Sequence, residues 1–323
     1  MPAQSSANVV ELSASDGTKA QIAVGVGFNC FSFQPVFVDG PQEVLWHAPA
    51  FLTGEARPAG SGIPILFPFP GRVRSGSFDY AGKHYEIPAG DGRGNAIHGF
   101  VLDRSWEVVS QSDESITARF CASEHAPEVL RIWPSDFEIS VRYEVRPKQL
   151  ISNIRITNPG DTPLPYGLGT HPYFRVPLCP QSNADACLVK VPASEFWELR
   201  DLIPTGEKQT CDEPRNLTNG KPFAETDLDD VLTRLTANDD GTIVTSLEDV
   251  DGKRTLTFEF PQSFRECVVY NPPHREAICI EPYSCVPGAI GDVLSGTLDA
   301  KRFGIEFLKP SESRDAKMTI RVD

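Results

Sequence analysis

Two stretches of this chain carry side chains suited to moving protons. The first is Pro165-Tyr166-Gly167-Leu168-Gly169-Thr170-His171-Pro172-Tyr173-Phe174, which sets one histidine between turns braced by proline and glycine. Proline fixes φ, and glycine lets the backbone turn or pass close to a neighbour. Such bracing suits a ring that must be held in place, and histidine is the side chain best able to give or take a proton near neutral pH. The second is Ile278-Cys279-Ile280-Glu281-Pro282, a buried apolar strand that closes on a carboxylate, with proline expected to block its continuation. Burial disfavours the charged carboxylate, raises its pKa and makes it a better base.

Three further segments offer groups that could hold a polar ligand. In Pro68-Phe69-Pro70-Gly71-Arg72-Val73-Arg74 an arginine directly follows a stiff turn, a fixed fork of donors for hydroxyl or carboxylate oxygens. Read alone, Arg72 is more readily a surface ion pair than a ligand-binding group. Asn95-Ala96-Ile97-His98-Gly99-Phe100 holds a second histidine beside a glycine, and Asp227-Leu228-Asp229-Asp230-Val231-Leu232 is an acidic run that also reads as a helix start. Other chemistries fit poorly. There is no G-x-S-x-G and no phosphate-binding G-x-x-x-x-G-K-[ST] loop, and Gly25-Val26-Gly27 meets Cys30 where a dinucleotide site needs its third glycine. The eight cysteines form no C-x-x-C pair and read as small apolar residues or idle thiols, while no i, i+4 histidine pair signals a metal.

The elements that must position these groups are strands. Phe137-Glu138-Ile139-Ser140-Val141-Arg142-Tyr143-Glu144-Val145 alternates apolar and polar residues throughout, the period of a half-buried strand. Leu256, Phe258 and Phe260 repeat it after Asp251-Gly252, with Ile243 and Leu247 on the preceding arm; the Asp-Gly pair is expected to supply the positive φ of a tight hairpin. Cys267–Tyr270 and Ala277–Ile280 are short continuous apolar runs, as for strands buried between two sheets, and Met318–Val322 reads as a closing strand. With 28 prolines and 25 glycines, few windows can carry a helix, and short ones are expected near Ala224–Leu235 and Val286–Leu294. The fold class is mainly β, a large sandwich in one domain over residues 1–323. A net charge of −14 argues against a nucleic-acid or anionic-membrane surface. No apolar run spans a bilayer, and Met1–Asn8 lacks the basic and apolar regions of a leader, so a cytoplasmic protein is expected.

Taken in order, Arg72, His98, His171-Pro172-Tyr173-Phe174, Leu202-Ile203-Pro204-Thr205-Gly206-Glu207, Asp229 and Glu281-Pro282 resemble the aldose 1-epimerase (galactose mutarotase) family, with Phe78 and Tyr85 also in pattern. The resemblance runs from about Gly62 to Pro282 and implies a β-supersandwich with an open groove for a free aldohexose and no cofactor. It implies Glu281 as general base and His171 as general acid, set on opposite sides of the anomeric carbon and titrating near neutrality. Arg72, His98 and Asp229 would hold the ring oxygen and hydroxyls. Asp229 is preferred to Asp227 and Asp230 because it lies three residues before apolar Leu232. The chain departs from the family pattern at Gly71, where asparagine is usual, and at Tyr283-Ser284, where Gln-Thr is usual. The rival readings are a hexose-6-phosphate mutarotase, with Arg74 and Arg93 as phosphate contacts, and a sugar-binding protein without turnover. The expected partner is a small sugar, with the protein a monomer or homodimer.

Overall fold

The computed structural model describes residues 7–323; Met1–Ser6, on which part of the leader expectation rests, lie outside the described residues. The alternating run forms the strand Glu138–Arg146, burying Ile139, Val141, Tyr143 and Val145 on one face. Among the described residues it belongs to a nine-stranded antiparallel sheet. The order is Glu107–Gln111, Ser115–Cys121, Glu138–Arg146, Gln149–Thr157, Ser313–Val322, Arg254–Pro261, Thr242–Asp249, Leu188–Lys190 and Lys221–Pro222. An eight-stranded sheet runs Ile203–Thr210, Ala193–Arg200, Asp229–Leu235, Glu266–Tyr270, Ala277–Tyr283, Gly169–Thr170 and Ile65–Leu66, with Tyr173–Arg175 also paired to Ala277–Tyr283. Between the sheets Phe174 meets Phe258 edge-on, with ring centroids 5.6 Å apart, and Thr170 Oγ1 donates to Met318 Sδ at 3.6 Å. Among the described residues no helix is long and apolar enough to cross a membrane.

The strand Ala277–Tyr283 is buried along its whole length and carries two different faces. Ile278 and Ile280 enter the large core, whereas Ala277 and Cys279 pack with Tyr173 in a separate small cluster. Side chains two apart on a strand leave the same face, so Glu281 and Tyr283 follow Cys279 away from Ile278 and Ile280. The continuous apolar run therefore builds a two-sided strand whose far end carries chemistry.

Three expectations are corrected by the backbone. Pro282 does not stop its strand, which continues through Tyr283 with Pro282 opposite Cys267; proline lacks only its own N–H. The hairpin between Thr242–Asp249 and Arg254–Pro261 forms, but its positive φ falls on Lys253 (50°) instead of on Asp251-Gly252. Asp249 Oδ1 closes that longer loop by accepting from Gly252 N at 2.8 Å. The helix expected near Ala224–Leu235 is instead a 3-10 turn, Phe223–Glu225, followed by the strand Asp229–Leu235. That strand pairs on both edges, with Ala193–Arg200 and Glu266–Tyr270, and buries β-branched Val231 and Thr233, which outweighs its helix-like acidic start. The other expected helix is present as Ile290–Leu294.

The glycines flanking the His171 segment make room for neighbouring side chains. A Cβ on Gly167 would lie 2.3 Å from Cys285 Sγ, and one on Gly169 would lie 2.6 Å from Tyr283 Cδ1 and 2.7 Å from Pro70 Cβ. Both neighbours of Gly169 are rigid rings. Gly169→Ala is therefore expected to destabilise the protein by about 1–3 kcal/mol through overpacking. Thermal unfolding checks this; an unchanged Tm would show that the ring of Tyr283 can move aside.

Candidate active site

His171, His98, Arg72, Asp229 and Glu281 all line one groove of about 480 Å³ on the face of the eight-stranded sheet away from the core. Small-molecule sites commonly enclose roughly 300–1,000 Å³. A more open hollow of about 630 Å³ lies over the nine-stranded sheet, among Arg142, Asn153 and Lys317, but contains no buried acid–base pair.

Glu281 and His171 meet at the floor. His171 Nε2 lies 3.2 Å from Glu281 Oε1, with both residues buried. The two groups therefore stand side by side at the floor of the groove. The imidazole is held by a face-to-face stack on Tyr173 (centroids 4.8 Å, interplanar angle 4°) and by the edges of Tyr270 and His98. Its backbone N donates to Pro64 O at 3.0 Å, so proline and stacking together fix the ring. On the other carboxylate oxygen, Tyr283 Oη donates to Glu281 Oε2 at 2.5 Å. Tyr283 went unnoticed in the sequence as a functional group, although its i, i+2 spacing from Glu281 on a strand was the signal for a shared face.

Around this floor the remaining groups are set by their own partners. Arg72 Nε donates to Asp91 Oδ2 at 3.0 Å, and a terminal guanidinium nitrogen donates to Leu202 O at 3.4 Å. Asp91 is nearly sealed, with 1% of its side chain exposed; burial pushes its carboxyl up, but hydrogen bonds from Asn95, the Arg93 backbone and Arg72 outweigh this and hold it well below the usual range. His98 sits at φ 66°, and its Nδ1 accepts from Gly71 N at 3.3 Å. That bond assigns the proton of the neutral ring to Nε2, leaving it a donor. Burial, then the nearby His171 and Arg72, hold His98 well below the ordinary imidazole value. Gly71 has φ 69°, and a Cβ there would lie 2.3 Å from Pro287 Cβ, so the packing of Pro287 leaves no room for asparagine at this position.

The acidic run separates cleanly. Asp230 is turned to Arg215 at 2.9 Å, Asp227 does not line the groove, and Asp229 does. Asp229 is open to the groove, yet the surrounding walls raise its carboxyl pKa against the opposing pull of Arg72. Arg74 is half-exposed and 3.8 Å from Asp292, and neither it nor Arg93 lines the groove.

Electrostatically the floor pair is pushed apart rather than tuned to neutrality. Burial raises Glu281 well above the ordinary carboxyl range, with the Tyr283 hydrogen bond opposing it. Burial also draws His171 down to about 3. The same burial thus disfavours the charged form of both groups.

The aldose 1-epimerase family model matches residues 10–321. The chain belongs to the aldose 1-epimerase family. An uncharacterized protein of Escherichia coli K12, YihR, is 26% identical over 290 residues, covering 88% of this chain and 86% of its own. A galactose mutarotase-like protein from Clostridium acetobutylicum superimposes with a TM-score of 0.86 at 23% identity, covering 98% of this chain and 95% of its own. A GalM/aldose epimerase homologue from Caenorhabditis elegans gives 0.79 at 20% identity, covering 98% of both. These likenesses establish the galactose mutarotase-like β fold for this member of the aldose 1-epimerase family.

The raised Glu281 makes a stability prediction. A carboxyl whose folded pKa exceeds its unfolded value stabilises fully below the unfolded pKa, and that contribution is lost as pH rises through the folded pKa. Glu281→Gln keeps an acceptor for Tyr283 Oη but cannot ionise. Its Tm should therefore gain on the wild type as pH is raised from about 4 to about 8. A difference that stays constant, or shrinks, contradicts the assigned direction.

Proposed function

We propose that this chain is a mutarotase, interconverting the α and β anomers of a free aldohexose by acid–base ring opening and closure. The observation that carries this reading is the 3.2 Å approach of His171 Nε2 to Glu281 Oε1 at the floor of a groove. Both oxygens that exchange protons in mutarotation, O1 and the ring O5, are bonded to the same carbon, C1. The acid and the base must therefore be neighbours, and these two are.

For ring opening the proton of the pair passes from Glu281 Oε1 to His171 Nε2 across their 3.2 Å approach; Glu281, as carboxylate, then takes the O1 proton while His171, as imidazolium, gives its proton to O5. The C1–O5 bond breaks, O1 becomes the carbonyl oxygen of the open aldehyde, and the pair is left as carboxylic acid and neutral imidazole. Rotation about C1–C2 turns the other face of the aldehyde to the C5 hydroxyl. His171 then removes that hydroxyl's proton as O5 attacks C1, and Glu281 returns a proton to O1. No group is consumed and no covalent bond to the protein forms. The electrostatics fit the opening step: a carboxylate with a raised pKa is a strong base, and an imidazolium with a lowered pKa is a strong acid. The neutral pair favoured by burial is the protonation state that accompanies the open aldehyde. His98 Nε2–H, Arg72 and Asp229 would orient the hydroxyls.

Polarimetry of freshly dissolved α-D-glucose and α-D-galactose tests the reading. The protein should speed the approach to anomeric equilibrium, Glu281→Gln should lose about 10²–10⁴-fold of that rate, and His171→Asn should lower kcat far more than it raises KM. Undiminished rates in Glu281→Gln would sink the assignment, and an effect of His171→Asn confined to KM would leave His171 a binding residue. The pair also predicts an unusual pH profile. Because His171 gains a second proton for the pair only near 3, kcat/KM should stay level as pH falls through the ordinary imidazole value of 6.5. An acid limb centred near 6.5 would contradict the shared-proton account.

A further inference from the structure

The reaction proposed above employs Glu281 and His171 but gives no task to the third polar atom beside them. Cys279 and Glu281 are two apart on Ala277–Tyr283 and leave the same face, and Tyr173, two residues beyond His171, is the direct strand partner of Cys279. That register brings Cys279 Sγ, a Glu281 carboxylate oxygen and a His171 ring nitrogen within 4.8 Å of one another, with all three residues buried. His171 Nδ1 is buried and has no hydrogen-bond partner, so hydrogen bonding restrains the ring at neither nitrogen beyond its approach to Glu281. The other grouping of this kind, Glu107, Glu124 and His125, is more open, and both carboxylates are already paired with Arg119.

We propose that Cys279, His171 and Glu281 form a binding site for a thiophilic divalent cation such as Zn2+, and that the bound ion blocks proton transfer. Thiolate, imidazole and carboxylate together are a donor set that suits zinc, whereas Mg2+ and Ca2+ require oxygen ligands throughout. At zinc's usual bond lengths, tetrahedral donor atoms lie roughly 3.3–3.8 Å apart. His171 and Glu281 are already at 3.2 Å, so the site closes by a modest movement of Cys279 toward them. Three protein ligands leave the fourth position toward the groove, which His171 and Glu281 line, while Cys279 is fully buried beside them. Water or a sugar hydroxyl completes the shell there. Binding displaces the thiol proton of Cys279 and the carboxyl proton of Glu281 to solvent, with no change of oxidation state. The ion then holds the lone pairs that mutarotation needs.

Only the inhibitory consequence rests on the mutarotase reading; the metal site itself does not. The test adds Co2+ to purified wild type, Cys279→Ser and Cys279→Ala, each first checked for a native circular dichroism spectrum. The wild type should develop thiolate-to-cobalt charge-transfer absorption that Zn2+ abolishes, and both variants should lack it. Zn2+ should inhibit wild-type mutarotation reversibly, with chelator restoring the rate. Half-inhibition of either variant should need roughly 10-fold more Zn2+ or more, since even outer-shell changes cost zinc sites that much. Equal cobalt absorption in wild type and variants overturns the site, because another of the eight cysteines would then be the ligand. Equal Zn2+ inhibition in wild type and variants, or acceleration by Zn2+, overturns the blockade. If the protein accelerates no anomerisation, the cobalt absorption alone decides the metal site, and the functional reading fails separately.

Discussion

The structure turns on placing a carboxylate and an imidazole in contact at the buried floor of a groove. A buried charge is costly, and a buried pair settles into the protonation state that carries the least charge. For Glu281 and His171 the same burial pushes the carboxyl up and pulls the ring down, disfavouring charge on each. The two shifts leave the carboxylate hungry for a proton and the imidazolium ready to lose one. In the proposed mutarotation, an acid and a base adjusted this way need only adjacent oxygens to act on, and the anomeric centre of a sugar supplies two on one carbon.

Everything around the pair fixes its geometry or keeps it dry. The strand Ala277–Tyr283 sends Ile278 and Ile280 into the core, which anchors the opposite face carrying Glu281 and Tyr283. Gly169 leaves the space that the Tyr283 ring occupies, and the tyrosine hydroxyl then holds Glu281 Oε2. Tyr173 stacks on His171 and, one residue on, Phe174 packs across to Phe258 in the other sheet. Arg72 is held by Asp91, itself secured by Asn95, so the cation is fixed by an acid on a neighbouring loop. Orienting groups that are themselves oriented lose little freedom when a ligand binds.

Much of this was legible in the residues. The alternation of Phe137–Val145 and the apolar runs Cys267–Tyr270 and Ala277–Ile280 declared the strands now seen as Glu138–Arg146, Glu266–Tyr270 and Ala277–Tyr283, because strand period is a local property. Five scattered positions, Arg72, His98, His171, Asp229 and Glu281, do converge on one groove. What stayed hidden was non-local. The acidic run at Asp227–Asp230 reads as a helix start until its two sheet neighbours are known, and Pro282 reads as a stop until the pairing with Cys267 is seen. Asp91 lies in a loop with no periodicity to mark it, and its role depends on where Arg72 points. The side-by-side arrangement of acid and base could not be read from residues 110 positions apart.

The most direct measurement of the central claim is a crystal structure of Glu281→Gln with galactose bound. The account predicts that O1 lies within hydrogen-bond distance of the position-281 side chain and O5 within the same distance of His171 Nε2. Arg72, His98 or Asp229 should then meet the remaining hydroxyls. A sugar whose C1 end points away from this pair, or that binds outside the groove, would contradict it.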